Sequence, residues 1–103
     1  MPALGFDGEM EPVRAAILAV VAEAPRARVV EAQADYIHAE FTTLLFRYVD
    51  DVEFSIDPLA KRVDFRSASR VGHSDLGTNR RRMKKLSRRL RGRAGLELIP
   101  SGG

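Results

Sequence analysis

The sequence contains no cysteine and no long apolar run. Without cysteine the chain forms no disulfide and no thiolate zinc site, so packing alone must hold the fold together. The longest apolar run, Ala15–Ala22, is far shorter than the ~20 residues that a membrane-spanning helix needs, and no basic leader precedes it as in a signal peptide. We therefore expect a soluble, cytoplasmic protein with no transmembrane segment, no bound metal and no cofactor.

The positive charge of the chain is concentrated near its C-terminus. Residues 1–79 contain eight Lys/Arg and thirteen Asp/Glu, a net charge of −5, whereas residues 80–103 contain nine Lys/Arg and one Glu, a net charge of +8. Such a division steers acidic partners towards one surface, or it pairs one part of the domain with another.

The spacing of apolar residues predicts two helices and four strands. Helical spacing between Pro12 and Pro25 predicts the first helix, and a second is predicted after Gly72 with Gly92 as its C-terminal glycine. Four runs between them alternate with a period of two and predict the strands Arg28–Ala32, Tyr36–Thr42, Phe46–Ile56 and Arg62–Val71. Because the connections are short, we predict an α+β two-layer sandwich in the order α-β-β-β-β-α, in which both helices cover one face of a four-stranded antiparallel meander.

A chain of 103 residues, 45% of them apolar, is the size of one domain with one core. We assign this α+β domain to residues 10–92. Residues 1–9 have no periodicity and predict a flexible leader, and residues 93–103 are a C-terminal tail without an assigned structure.

Two motifs resemble a known family. Tyr48-Val49-Asp50-Asp51-Val52-Glu53-Phe54 is similar to F-V-D-D-V-E-F, and residues 66–82 follow the pattern R-S-A-S-R-x-G-x-S-D-x-G-x-N-R-x-R. Both are signatures of domain-of-unknown-function family 1499, which is found in bacterial and plant proteins. The resemblance covers about residues 10–91 and implies a fold, but it implies no mechanism.

Strand alternation places one carboxylate among core residues. Asp50 shares a face with Val52 and Phe54, and a hairpin brings it close to Ser67 and Ser69 of the next strand. A carboxylate in this position must be hydrogen-bonded, because an unpaired buried charge costs several kcal/mol. Two interpretations remain: a polar contact that fixes the second helix on the sheet, and a binding or catalytic carboxylate.

The opposite face of the sheet collects charges of both signs. Asp51 and Glu53 lie there beside Arg66 and Arg70, with Tyr36, His38 and Glu40 on the neighbouring strand. A solvated ionic ladder is one interpretation. The other is an anion-recognition face, since the planar guanidinium of arginine grips carboxylates and phosphates through two nitrogens.

The start of the second helix is a third candidate site. The loop Gly72–Asp75 precedes it, and free amides at a helix N-terminus can bind an anion. Asp75 or Ser74 is also suited to cap the helix itself, which would occupy those amides. Asn79 and Arg80, within the helix, complete this polar cluster.

The second helix has a strongly basic surface opposite a narrow apolar stripe. Its candidate polyanion-contacting residues are Arg81, Lys84, Lys85, Arg88 and Arg89. A basic helix of this kind can track phosphates or lie on anionic lipid, and it can also be simply solvated.

The sequence favours a non-enzymatic interaction module or one that binds a small anion, with an anionic small molecule or an acidic protein as partner. The first alternative is nonspecific binding of nucleic acid or anionic membrane through the basic helix. The second is a small hydrolase, although the adjacent His73-Ser74-Asp75 cannot align as a catalytic relay. The proposed cluster for ligand binding or fold stability contains Asp50, Asp51, Arg66, Ser67, Ser69, Arg70, Asp75, Asn79 and Arg80.

Overall fold

The computed structural model describes residues 3–43, 47–69, 76–93 and 95–98, and the side chains of these residues other than 69, 76–80, 97 and 98. The elements in chain order are β1 (Ala3–Gly5), α1 (Met10–Glu23), β2 (Ala27–Ala32), β3 (Tyr36–Thr42), β4 (Val49–Asp57), β5 (Arg62–Ser69), α2 (Leu76–Leu90) and β6 (Glu97–Leu98). The fold is α+β, with one antiparallel sheet and two helices.

Helix α1 forms where the apolar spacing predicts it. Its buried residues include Val13, Ile17 and Val20, which recur on one face of the helix. Pro12 is tolerated in the first turn, where backbone amides have no partner within the helix. The helix ends before Pro25, because a following proline disfavours helical geometry, and Ala24 is extended with φ −80° and ψ 134°.

The six strands form one sheet in the order β2-β3-β4-β5-β1-β6. The predicted antiparallel meander is therefore confirmed for β2 to β5. Between β4 and β5 the carboxylate of Asp57 accepts hydrogen bonds of 3.0 Å from the amides of Leu59 and Ala60, which stabilises the predicted turn at Pro58.

The predicted number of four strands is too low. Ala3–Gly5, within the segment predicted as a flexible leader, pairs with β5 on one side and with β6 on the other. β6 comes from the tail that had no assigned structure. Leu4 of β1 and Leu96 beside β6 are both completely buried, so these short strands complete the core.

The core lies between the two helices and one face of the sheet. Alternate residues of the meander point into it, among them Ile37, Val52 and Phe54, as period-two spacing predicts. Helix α2 adds Met83, Leu86, Ser87 and Leu90, and the two helices contact each other. In the part of the chain that the structure describes, no helix is long and apolar enough to cross a membrane.

The structure corrects the start of one predicted strand, leaves the predicted end of another outside the described residues, and confirms the predicted C-terminal glycine of the second helix. β4 begins at Val49 rather than Phe46, and residue 46 lies outside the described residues. β5 ends at Ser69 in the described chain, and residues 70–75 are likewise outside it. Gly92, just beyond α2, adopts a left-handed backbone conformation with φ +84°. Glycine adopts this conformation at little energetic cost because it has no side chain, so it commonly ends a helix.

Candidate functional site

A buried ion pair fastens helix α2 to the sheet. Asp50 of β4 is only 3% exposed, and its Oδ2 accepts a 2.7 Å hydrogen bond from Nη1 of Arg82. The same nitrogen donates to Oγ of Ser67 at 3.1 Å, and the guanidinium lies 5.2 Å from the ring centre of Phe41. These contacts offset the free-energy cost of removing both charges from water, which a buried ion pair requires.

The sequence predicts correctly that Asp50 is buried and makes a polar contact with the second helix, but it does not name Arg82 as the partner. Asp50 lies opposite Ser69 and Val52 opposite Ser67, so the predicted register is confirmed. The polar contact expected to fix the second helix on the sheet is present, and the residue of the helix that makes it is Arg82. Helical spacing offers a signal for this partner, because Arg82 is four residues before Leu86 and so lies on the apolar stripe of α2.

The outer face of the sheet, which packs against neither helix, carries an ionic ladder. Nε2 of His38 and Oδ1 of Asp51 are 2.7 Å apart. Nε of Arg66 contacts Oε2 of Glu53 at 2.9 Å, and Tyr36 donates its hydroxyl hydrogen to Oε1 of the same Glu53 at 2.5 Å. The structure therefore supports the ladder interpretation for Arg66, whose guanidinium already contacts a carboxylate.

The hydrogen bond to Glu53 changes the acidity of Tyr36. That bond is the largest cause, followed by partial burial and the negative charge of Glu53, and together they raise the pKa of Tyr36 to about 12. Each cause stabilises the neutral phenol relative to phenolate. Tyr36 thus stays a hydrogen-bond donor throughout the physiological range, so the Tyr36–Glu53–Arg66 chain does not titrate through the tyrosine.

Part of the polar cluster predicted at the β5–α2 junction lies outside the described residues. Arg70 and Asp75 are in that undescribed part, and so are the side chains of Ser69, Asn79 and Arg80. The described members do not form one site. Asp50 and Ser67 face the core with Arg82, whereas Asp51 and Arg66 belong to the outer face.

Helix α2 presents a continuous basic surface on the side opposite its buried residues. The exposed basic residues of this surface, called the basic face below, are Arg81, Lys84, Lys85, Arg88 and Arg91. None of these five has an ion pair with a carboxylate among the described residues. Since the amide of Arg91 still donates to the carbonyl of Ser87 at 2.9 Å, the basic face follows helical geometry for about 15 Å.

A neighbouring carboxylate partly neutralises the C-terminal end of this helix. Glu23, the last residue of α1, lies 3.8 Å from Arg89 and 3.3 Å from Arg93. Arg89 was predicted to contact polyanions, but in the structure it also has this intramolecular partner. The freely solvated positive charge is therefore concentrated on the basic face rather than beside Glu23.

The described residues include no group of three or more His, Asp or Glu side chains arranged to hold a metal ion. The positions of His38 and Ser67 also matter for the hydrolase alternative. His38 lies on the outer face with Asp51, while Ser67 binds Arg82 beneath α2. The sheet thus separates these two groups, as strand alternation predicts.

Comparison with known proteins identifies a family. The profile of DUF1499, described as a protein of unknown function, matches residues 1–90. No curated protein and no solved structure matches the chain. The matched region includes both sequence motifs, Asp50, Arg82 and most of the basic face, and because it covers most of the sequence, the chain belongs to the DUF1499 family.

Proposed function

We propose that this protein is a non-enzymatic binding module that holds the phosphate backbone of nucleic acid, without sequence preference, on the basic face of α2. The observation that carries the proposal is the set of five exposed basic side chains, along about 15 Å of helix, that have no ion pair among the described residues. By contrast, the exposed guanidinium of Arg66 on the outer face of the sheet contacts the carboxylate of Glu53.

The packing of α2 favours a nucleic-acid backbone over a lipid surface. Its apolar residues Met83, Leu86 and Leu90 are buried in the core, so none is available to enter a bilayer. Interfacial helices gain much of their membrane affinity from apolar insertion. α2 is left with electrostatic attraction alone, which is the term that dominates contacts to phosphates in nonspecific nucleic-acid binding.

The ion pair of Arg82 with Asp50 supports the same proposal. It fixes one side of α2 to the sheet, so that the basic face keeps one orientation towards solvent. A rigid array of charges loses less conformational entropy on binding than a disordered basic tail does. The Asp50 cluster therefore acts as a positioning element and not as the binding surface.

The small-anion site expected at Arg66 and Arg70 has weaker support. Arg66 contacts Glu53 at 2.9 Å, so an incoming anion would compete with a carboxylate already in place. Arg70 lies outside the described residues.

The test measures affinity for a nonspecific DNA duplex as a function of salt. Five phosphate contacts predict that log Kobs falls with log salt with a slope of about −4.5. The triple variant Arg81→Gln, Lys84→Gln, Arg88→Gln should reduce that slope by about 3 and weaken binding at low salt. Binding to vesicles of anionic lipid, measured in parallel, distinguishes the membrane alternative.

A matched control removes the same net charge elsewhere. The variant Arg28→Gln, Arg62→Gln, Arg66→Gln loses three arginines that contact carboxylates in the folded chain. We expect it to keep most of the affinity and slope of the wild type. Equal losses in both triple variants would show that only net charge matters, and a preference for vesicles over DNA would contradict the proposed partner.

A further inference from the structure

Strand β2 lies at one end of the sheet and is exposed along most of its length. Among the described strands, none pairs with its outer side. Val29 and Val30 are 39% and 47% exposed, and with Leu59 they are the large apolar side chains that the described surface leaves open. An end strand with unpaired backbone groups and apolar side chains can pair with a strand of another chain.

The backbone of β2 directs four residues towards this open edge. At one end the carbonyl of Arg26 accepts a hydrogen bond from Thr42 of β3, and at the other end the amide of Gln33 donates to Tyr36. Every second residue of an antiparallel strand faces the same neighbour. Counting inwards from both ends, the backbone N–H and C=O groups of residues 28 and 31 face β3. Those of residues 27, 29, 30 and 32 are then left for an external partner.

A β-bulge within β2 makes two opposite charges share one face. The pairing register with β3 shifts between Val29 and Glu31. Arg28 lies opposite Glu40 and Glu31 opposite His38, so both charged residues belong to the outer face of the sheet. In a regular strand, residues three apart point to opposite faces, and the bulge removes this difference.

The segment Ala27-Arg28-Val29-Val30-Glu31-Ala32 is consequently complementary to itself. When two copies run antiparallel about a two-fold axis between Val29 and Val30, Arg28 of each copy lies opposite Glu31 of the other. The exposed valines also meet across the axis. Because of the bulge, each opposing pair lies on the same face of the joined sheets, which continuous pairing requires.

We propose that β2 is a homodimerisation edge, at which two copies of the chain join their sheets through antiparallel β2–β2 pairing. The interface is isologous, so the Arg28–Glu31 contact forms twice. Bulges and charges often protect an end strand from such pairing. Here the bulge instead aligns charges of opposite sign, and a six-residue strand predicts a dimer that forms only as concentration rises.

Charge reversal with rescue tests the pairing. Sedimentation velocity without any polyanion, from micromolar to millimolar protein, should show a monomer–dimer equilibrium for the wild type. Arg28→Glu and Glu31→Arg each replace two attractive contacts with two repulsive ones, and each should raise the dimer dissociation constant about tenfold. The double variant Arg28→Glu, Glu31→Arg restores opposite charges and should regain dimerisation.

Two further measurements make the result decisive. Circular dichroism checks that each variant is folded, because Arg28 also contacts Glu40 within one chain. Val30→Lys should abolish the dimer, whereas Leu59→Lys, at a side chain 94% exposed in the β4–β5 turn, should not. A wild type that stays monomeric at millimolar concentration overturns the proposal, as does a folded double variant that does not recover.

Discussion

Asp50 on β4 and Arg82 on α2 are 32 residues apart in the chain, yet their side chains meet at 2.7 Å beneath the second helix. Both are shielded, with side-chain exposures of 5% and 13%. The pair links the hairpin of the sheet to the helix that carries the basic face, so it helps to orient the proposed binding surface together with the buried apolar residues of α2.

Replacing Asp50 should therefore cost much more than replacing its neighbour. Asp50→Ala leaves the guanidinium of Arg82 without its carboxylate, and we expect the free energy of unfolding in urea to fall by about 3 kcal/mol. Asp51→Ala removes a carboxylate from a partly exposed pair with His38 on the outer face, and a pair near the surface contributes about 1 kcal/mol or less. Similar losses in the two variants would contradict the assigned roles.

A double-mutant cycle separates the pair from its surroundings. Arg82→Met keeps the aliphatic packing against Phe41 but strands the carboxylate of Asp50. Because each single variant already removes the contact between Asp50 and Arg82, the double variant Asp50→Ala, Arg82→Met should lose less than the sum of the single losses. Additive losses would show that the two side chains stabilise the fold independently.

Shortening the side chain of Leu4 in β1 should destabilise the whole domain. Leu4 is completely buried and lies between Val63 of β5 and Leu98 of β6. Leu4→Ala should lower the free energy of unfolding by about 2 to 5 kcal/mol, since it creates a cavity in the core. Leu59→Ala, at a 94% exposed position, is the control and should change stability by less than about 0.5 kcal/mol.

The sequence predicts the central part of this fold because its signals are local. Alternation between Tyr36 and Thr42 matches β3 residue for residue, and the same rule predicts the burial of Asp50. β1 and β6 contain three and two residues, which is too short for a period to be visible. Their pairing joins the two ends of the chain, so only the three-dimensional structure reveals it.

The candidate site shows the same division between local and long-range information. The exposed face of α2 follows from helical spacing. The partner of Asp50 does not, because helical spacing separates Arg82 on the apolar stripe from the exposed Arg81 but does not show which group of the sheet lies opposite Arg82. The partner of Asp50 depends on how α2 packs against the sheet, and this packing is set by contacts between distant parts of the chain.

Ionisation of Tyr36 should weaken the fold in strong base. The folded-state pKa of about 12 lies above the ordinary value of 10.0, so the stabilisation is complete below pH 10 and is lost as pH rises towards 12. In a Tyr48→Phe background, ultraviolet titration should report the high pKa of Tyr36 alone. Adding Glu53→Gln should move this pKa towards 10, and an unchanged titration would contradict the role of Glu53.

Removing Glu23 should strengthen the proposed polyanion binding. Its carboxylate contacts Arg89 and Arg93, so Glu23→Gln makes both guanidiniums available to phosphates and should steepen the salt dependence by about 1 to 2 in log Kobs against log salt. Glu11→Gln removes the same charge from the other end of α1, where Glu11 lies 3.8 Å from Arg14, and should leave the slope nearly unchanged. If both variants increase the affinity for duplex DNA equally, the overall charge of the protein controls binding, and the C-terminal end of α2 has no specific part in it.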